Sequence, residues 1–303
     1  MESILITGGT GFVSGYLAEY YVEKGYEVTV LNRGNRPQVK GVRLIRADRR
    51  AIGAALVGLS FDAVIDATAF DGPDVETLLP YIKGDPVYVL ISSSAVYPDT
   101  AGQPFTEDTP LGENRFWGEY GLGKIRAEQA AQALRPDAYI LRPPYIYGPR
   151  QNVYREPFVF DCAMAGRPFC IPGEGLMPLQ FTHIRDLARI IDRILLTRPE
   201  TRIYNVGDPD PVTVRQWVEL CYSAAGKDCR LISVGEEHPQ RSYFPFHPYA
   251  YQLDVTRQQQ LLDGDGLIPL EEGLKESLEW YLDHQDQVNR RDYAGYIDER
   301  ILS

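Results

Sequence analysis

Apolar residues along the chain fall into two alternating textures, short continuous runs and longer stretches with helical spacing. The first run, Ile4-Leu5-Ile6, precedes a segment in which Phe12, Leu17, Tyr20, Tyr21 and Lys24 read as a helix ending at Gly25, and a second run, Val28-Thr29-Val30-Leu31, follows. Short apolar runs bounded by turn residues predict buried strands, and stretches of period 3.6 predict helices. Further strands are predicted at 42–45, 63–66, 88–92 and 139–142, with helices at 49–56, 75–82 and 122–134 between them. This βαβα order predicts an α/β fold, a doubly wound parallel sheet with helices on both faces. Beyond Pro149 the texture changes: Pro and Gly become more frequent and strand signals shorten (203–206 and 231–234), with helices predicted at 184–196, 214–225 and 270–283. The reading divides the chain into residues 1–149, with later segments interleaved, a smaller lobe over 150–284, and a polar tail, 285–303, that receives no assignment.

The 303 residues are 44% hydrophobic and 24% charged, enough for a large core in one or two domains. No apolar run approaches the roughly 20 residues that span a bilayer. The start of the chain leads straight into a strand without a basic leader or signal-type cleavage site. Cys162, Cys170, Cys221 and Cys229 form no C-x-x-C pair and have no histidine at ligand spacing, so they read as buried free thiols, not a metal site. These features favour the cytoplasm. The net charge of −11 argues against non-specific nucleic-acid binding, which relies on basic surface. One stretch runs the other way: Arg33, Arg36, Lys40, Arg43, Arg46, Arg49 and Arg50.

The first chemical signal is "TGGTGFVSG" between the first strand and helix. Gly8 and Gly11 occupy the first two glycine positions of a G-x-x-G-x-x-G turn, Ser14 the third, and Gly15 follows one step late. Such glycines let the backbone turn tightly and approach a pyrophosphate, with the helix N-terminus facing the phosphates. The context therefore points to a dinucleotide site. Two other stretches carry reactive groups. In "EYGLGK", Tyr120 and Lys124 are four apart and share a helix face. A phenol ionises near 10 when free, and a nearby ammonium lowers that value, so the pair can exchange a proton with a substrate hydroxyl or carbonyl. In "LISSSAVY", Ser92, Ser93 and Ser94 end a strand of a parallel sheet, where open α/β folds place ligands.

With "LRPPYIYGPRQN" and "FTHIRDLA" added, these motifs resemble those of the extended short-chain dehydrogenase/reductases, the NAD(P)-dependent epimerase/dehydratase family with a Rossmann-type sheet, over roughly residues 1–283. The resemblance implies an oxidoreductase or epimerase that moves hydride at a carbinol or carbonyl carbon of a sugar-like or other small substrate. It makes Tyr120 the acid/base, and gives Lys124 the nicotinamide ribose. It makes Ser93, four residues before Tyr97, the serine that holds the substrate oxygen; counting from the strand end instead allows Ser94. It further implies cofactor contacts at Gly8, Thr10, Gly11, Phe12, Val13, Asp48, Ala67, Thr68, Ala69, Ser92, Pro144 and Tyr145, with Asn152 near the substrate. The expected partner is a small molecule, without nucleic acid or membrane; a homodimer is compatible with the reading.

Departures from the family pattern bear on substrate and cofactor. The Asp-Glu pair that 4,6-dehydratases carry after the catalytic Ser/Thr is replaced by Ser94 and Ala95, which disfavours dehydration. Tyr145 stands where 4-epimerases carry a diphosphate-contacting Asn, and Leu179 where they carry an Arg. Common UDP-hexoses are therefore expected to be poor substrates unless Arg150, Arg155, Arg167 or Arg185 compensates. The second strand ends in Asn32, not an acid, followed by Arg33 and Arg36. An uncharged Asn does not repel a 2′-phosphate and Arg can pair with it, which predicts NADP over NAD. Finally, the C-terminal half also resembles the chloroplast stem-loop-binding proteins, and with the basic stretch this supplies the alternative of an RNA-binding protein on the same fold.

Overall fold

The computed structural model describes residues 2–303. In chain order the elements are β1 (Ser3–Thr7), α1 (Phe12–Glu23), β2 (Glu27–Asn32), β3 (Arg43–Arg46), β4 (Ala63–Asp66), α2 (Gly72–Leu78), β5 (Val87–Ile91), α3 (Glu119–Leu134) and β6 (Tyr139–Arg142). There follow β7 (Tyr145–Tyr147), α4 (Glu156–Met164), β8 (Phe169–Pro172), β9 (Pro178–Leu179), β10 (Phe181–His183), α5 (Ile184–Thr197) and β11 (Ile203–Asn205). The chain ends with β12 (Val212–Thr213), α6 (Val214–Ala224), β13 (Leu231–Val234), α7 (Gln240–Tyr243), α8 (Thr256–Leu262), α9 (Leu270–Asp283) and α10 (Tyr293–Arg300).

Two compact units share these elements. The first comprises residues up to Pro144, Ile184–Gly207 and Leu253–Gly266. Its seven-stranded sheet has the order β11-β6-β5-β4-β1-β2-β3, and all pairings are parallel. The central strands read as continuous apolar runs because both faces are covered: Ile4, Leu5, Ile6, Val64, Ile65, Val89 and Leu90 are fully buried. The strand order reverses between β1 and β4, the crevice where doubly wound sheets bind ligands. The second unit comprises Tyr145–His183, Asp208–Gln252 and Leu267–Ser303. It holds three two-stranded sheets, β10-β7, β12-β9 and β13-β8, around an aromatic core in which Trp217 lies 5.0 Å from Phe246 and 6.1 Å from Phe181.

Several expectations need correction. Residues 49–56 form a series of turns instead of a helix (Ala51 N to Asp48 O, Ala55 N to Ile52 O). Gly53 there has φ +57°, and Arg49 is drawn to Asp66, so apolar spacing at Ile52 and Leu56 is satisfied without a helix. The 203–206 signal is an edge strand of the main sheet, not of the smaller lobe. The 285–303 tail contains α10 and lies in the second unit, where Arg290 Nη1 bonds Asp161 Oδ2 at 2.8 Å. The first segment of unit one ends at Pro144, not at residue 149. All four cysteines are free; Cys162, Cys170 and Cys221 are buried and Cys229 is half-buried. Among the described residues no helix is long and apolar enough to cross a membrane.

Candidate active site

The glycine-rich turn joins β1 to α1. Gly8 and Gly9 have φ of +91° and +89°, a region that L side chains rarely adopt. A Cβ at Gly9 would sit 2.5 Å from Val30 Cγ1. Gly11 is different: its backbone is extended, and a Cβ there would meet only Ser14 Oγ, at 3.6 Å. Nothing within the protein demands a glycine at that position, so its small size leaves room for a ligand at the N-terminus of α1. Ser14 is buried with its Oγ against Gly8 and takes the place of the third glycine. Thr10, Phe12 and Val13 are half-buried on the same turn.

A cleft of 430 Å³ lies over the ends of β1, β2, β3 and β4, lined by Gly8, Asn32, Arg33, Asp48, Arg49, Thr68 and Phe70, among others. It holds Gly8, Asn32, Arg33, Asp48 and Thr68 of the expected cofactor residues. Asn32 acts as a clamp: Nδ2 donates to the Gly8 carbonyl at 2.6 Å and to Gln38 Oε1 at 2.8 Å, while Oδ1 accepts from Gly34 N. Arg33 lines the cleft and Arg36, exposed, does not. Arg49 spans the floor, bonding Asp66 through both terminal nitrogens (2.9 and 2.8 Å) and Thr68 Oγ1 at 3.0 Å. Burial alone would raise the Asp66 carboxyl, but Arg49, Thr7 and Tyr88 hold it below its ordinary range. Arg49, whose signal in the sequence was only one more arginine in a basic run, is thus an internal structural ion, while Arg50 stays exposed and pairs with Asp74 from the surface.

At the C-terminal end of β5, Ser92, Ser93 and Ser94 meet α3. The two glycines of "YGLGK" make this possible: a Cβ at Gly121 would sit 2.5 Å from the Ala95 carbonyl, and one at Gly123 2.3 Å from the Phe70 carbonyl. The helix therefore packs backbone to backbone against both loops. Lys124 is 3% exposed and donates to the Ala69 carbonyl at 2.7 Å and the Ile91 carbonyl at 2.9 Å. Burial pushes its ammonium down to about 8, against the carboxylates of Asp66 and Glu128, which hold it up. Tyr120 is 42% exposed, yet local desolvation raises its phenol above the ordinary value, opposed by a hydrogen bond with Ser93. Lys124 Nζ is 6.0 Å from the Tyr120 ring centroid. Ser94 is buried, its N–H on the Pro143 carbonyl. The arrangement offers an exposed phenol, a hydroxyl beside it and a buried cation, the groups that acid/base work on a carbinol requires. Ala67 and Thr68 both approach Thr7 Oγ1 through their N–H groups, and Ala69 is buried.

The second unit contains the remaining expected residues. Pro144 closes the first unit, and Tyr145 opens the second, 8% exposed and 4.6 Å from Phe246 between ring centroids. Leu179 is 1% exposed in the β9–β12 pairing. Asn152 is half-buried, its carbonyl accepting from Asn289 N. Of the arginines considered as replacements, Arg167 is taken by Asp298, and Arg185 lies in the first unit. Arg155 stacks over Tyr145 (5.4 Å) and Phe246 (5.8 Å) and donates to the Ile146 carbonyl. Its nearest acid, Glu156 at 3.9 Å, is fully buried with its carboxyl pushed above the ordinary range by burial. The sequence reading missed Arg241. Burial pushes its guanidinium below the ordinary range, Arg291 and Arg155 add like-charge repulsion, and no carboxylate pairs with it among the described residues. Burial and the nearby cations Arg241 and Arg291 lower His247.

Comparison with known proteins gives consistent findings. Residues 4–207 match the NAD dependent epimerase/dehydratase family. The chain is 26% identical to a chloroplast stem-loop binding protein of 41 kDa from Arabidopsis thaliana, covering all of this chain and 84% of that protein. It is also 26% identical to a dTDP-4-dehydro-6-deoxy-D-allose reductase of Streptomyces bikiniensis, covering 93% of this chain and 97% of the reductase. A dTDP-glucose 4,6-dehydratase from Bacillus anthracis, solved with NAD, superposes with a TM-score of 0.76 at 20% identity, over 95% of this chain and 99% of the other.

Proposed function

The chain belongs to the NAD dependent epimerase/dehydratase family, and from that premise we propose that it moves hydride at a carbinol or carbonyl carbon of a sugar-like substrate bearing an anionic group. It is a nicotinamide-dinucleotide enzyme of the oxidoreductase/epimerase type. The observation that carries the hydride-transfer reading is the exposed Tyr120 phenol on a helix whose next turn buries Lys124 against the end of β5. When bound, the nicotinamide accepts or returns hydride. Tyr120 takes the hydroxyl proton in oxidation or gives one to the carbonyl oxygen in reduction, and Ser93 holds that oxygen by a hydrogen bond. Lys124, already buried as a cation at neutral pH, binds the ribose and favours the phenolate electrostatically. Ala95 has no proton to transfer and Ser94 is buried, which weighs against dehydration.

An anionic substrate group is supported by Arg241, a half-buried cation that no carboxylate pairs among the described residues. A guanidinium left unpaired at such depth is stabilised by an incoming phosphate or carboxylate. This weakens the expectation that the changes at Tyr145 and Leu179 exclude nucleotide sugars, because other cations stand in the same unit. NADP remains our preferred cofactor: Asn32 carries no charge and Arg33 lines the cleft. Calorimetric titration with NADPH and NADH, then with UDP, UDP-glucose and dTDP on the cofactor-loaded protein, tests both points. Tighter NADPH binding is expected, together with nucleotide binding that weakens at least about tenfold in Arg241→Gln. Equal cofactor affinities would remove the NADP preference, and nucleotide binding indifferent to Arg241 would remove the anion reading. The likeness to the stem-loop binding protein keeps RNA binding as a second reading; binding of a structured RNA that weakens steeply with salt is its signature.

A further inference from the structure

Helix α3 presents Tyr120, Lys124 and Glu128 one turn apart on a single face. Each engages a different one of three consecutive residues at the end of β5. Lys124 Nζ donates to the Ile91 carbonyl at 2.9 Å and Ser92 Oγ donates to Glu128 Oε1 at 2.5 Å, while Ser93 lies beside Tyr120 and favours its phenolate. Glu128 is 1% exposed and meets Arg142, the last residue of β6, through Nε at 3.0 Å to Oε1 and Nη2 at 2.6 Å to Oε2. The second arm of Arg142 donates to Tyr97 Oη at 2.9 Å and to the Glu107 carbonyl at 3.1 Å, and Tyr97 Oη in turn donates to Asn205 Oδ1. The backbone repeats the arrangement: Ser92 N–H bonds the Leu141 carbonyl and Ser94 N–H the Pro143 carbonyl, one residue either side of Arg142.

A buried ion pair generally gives no more stability than apolar side chains of the same volume, and its better-attested use is to fix one arrangement among several. Here the polar atoms of the pair are spent on the segment that carries Ser93: Glu128 on Ser92 before it, Arg142 on Tyr97 after it. A hydroxyl loose by about an ångström at a reacting centre loses most of its effect. We propose that Glu128, held by Arg142, is a positioning residue that anchors Ser92 so that the Ser93 hydroxyl stays on the Tyr120 phenol. The inference rests on the roles proposed above for Tyr120 and Ser93, but its test needs no substrate. It also places the Ser92 side chain in this anchor, whereas its family resemblance suggests a cofactor contact.

The test is the ionisation of Tyr120 in the full-length protein, followed by NMR of ¹³Cζ-labelled tyrosine, with Tyr120→Phe identifying the signal. Ser93→Ala sets the value expected when the hydrogen bond that favours phenolate is lost. Two variants release the anchor. Glu128→Leu/Arg142→Met replaces the ion pair by apolar side chains without stranding a buried charge, and Ser92→Ala removes only the tethering hydroxyl. Both are expected to fold. Both should lower the Tyr120 phenolate fraction at fixed pH toward the Ser93→Ala value, by up to about tenfold, as for a lost hydrogen bond to an ionised group. Should the pair variant fail to fold, Ser92→Ala decides alone. Wild-type titration of Tyr120 in the folded variants overturns the anchor while leaving the roles of Tyr120 and Ser93 intact. A Ser93→Ala variant that titrates like wild type overturns those roles and the anchor together.

Discussion

Removal of the Lys124 amine should change how stability depends on pH. Lys124 is 3% exposed, and burial lowers its ammonium from an ordinary 10.5 to about 8. In the unfolded chain the same group titrates near 10.5. Between these values the unfolded state binds the extra proton, so stability rises with pH through this window. Below about 8 the folded protein carries a buried cation and forgoes that stability in full; above 10.5 it is fully recovered. At about 1.4 kcal/mol per pH unit the gap corresponds to about 3 kcal/mol. Lys124→Met abolishes the titration. The variant also loses the donor to the Ala69 and Ile91 carbonyls, a cost of roughly 1–3 kcal/mol that does not depend on pH. Urea unfolding of both proteins at a series of pH values from 7 to 10.5 separates the two effects. The stability of wild type relative to Lys124→Met should climb by about 3 kcal/mol across the series, and other titrating groups cancel in the difference. A difference that stays flat would show that Lys124 is not held as a destabilised cation.

Other substitutions address separate parts of the site. Tyr120→Phe keeps the ring and deletes the proton-transfer group; turnover of any nucleotide sugar that the wild type converts should fall by about 10²–10⁴-fold, with NADPH affinity within about threefold. Gly9→Ala forces a side chain into φ +89° and sets its Cβ 2.5 Å from Val30 Cγ1. A loss of about 2–5 kcal/mol in denaturant melts is expected, partly restored by Val30→Ala. Glu156→Gln should raise the melting temperature at pH 7, because burial lifts the folded carboxyl above its unfolded value of 4.5 and ionisation is disfavoured in the fold. The sign requires the advantage to shrink as pH falls toward 4.5 and both states protonate; an advantage that persists there would contradict it.

The parts legible in the sequence are those governed by local periodicity. Strands at 63–66 and 139–142 and the helix at 270–283 appear where their apolar spacing predicts, because each is long or apolar enough for burial to dictate its conformation. Tyr120 and Lys124 could be paired from spacing alone, since four residues on a helix fix a common face. Composition could not decide what each charge does. Arg49 looks like part of a basic surface, but the fold buries it against Asp66, while Arg50 stays exposed and pairs with Asp74. Residues 49–56 have helical spacing, yet Gly53 and the pull of Asp66 on Arg49 make turns of them. Glu128 lies 14 residues from Arg142, and Arg155 lies far from Arg241 along the chain. Only folding shows that the first two neutralise each other in the core, while no carboxylate among the described residues pairs with Arg241. The sequence determined the pattern of burial and the spacing of groups along each element. Which charges face one another, and hence which are structural and which are free for a ligand, depends on contacts between elements remote in the chain, and the tertiary structure alone decided it.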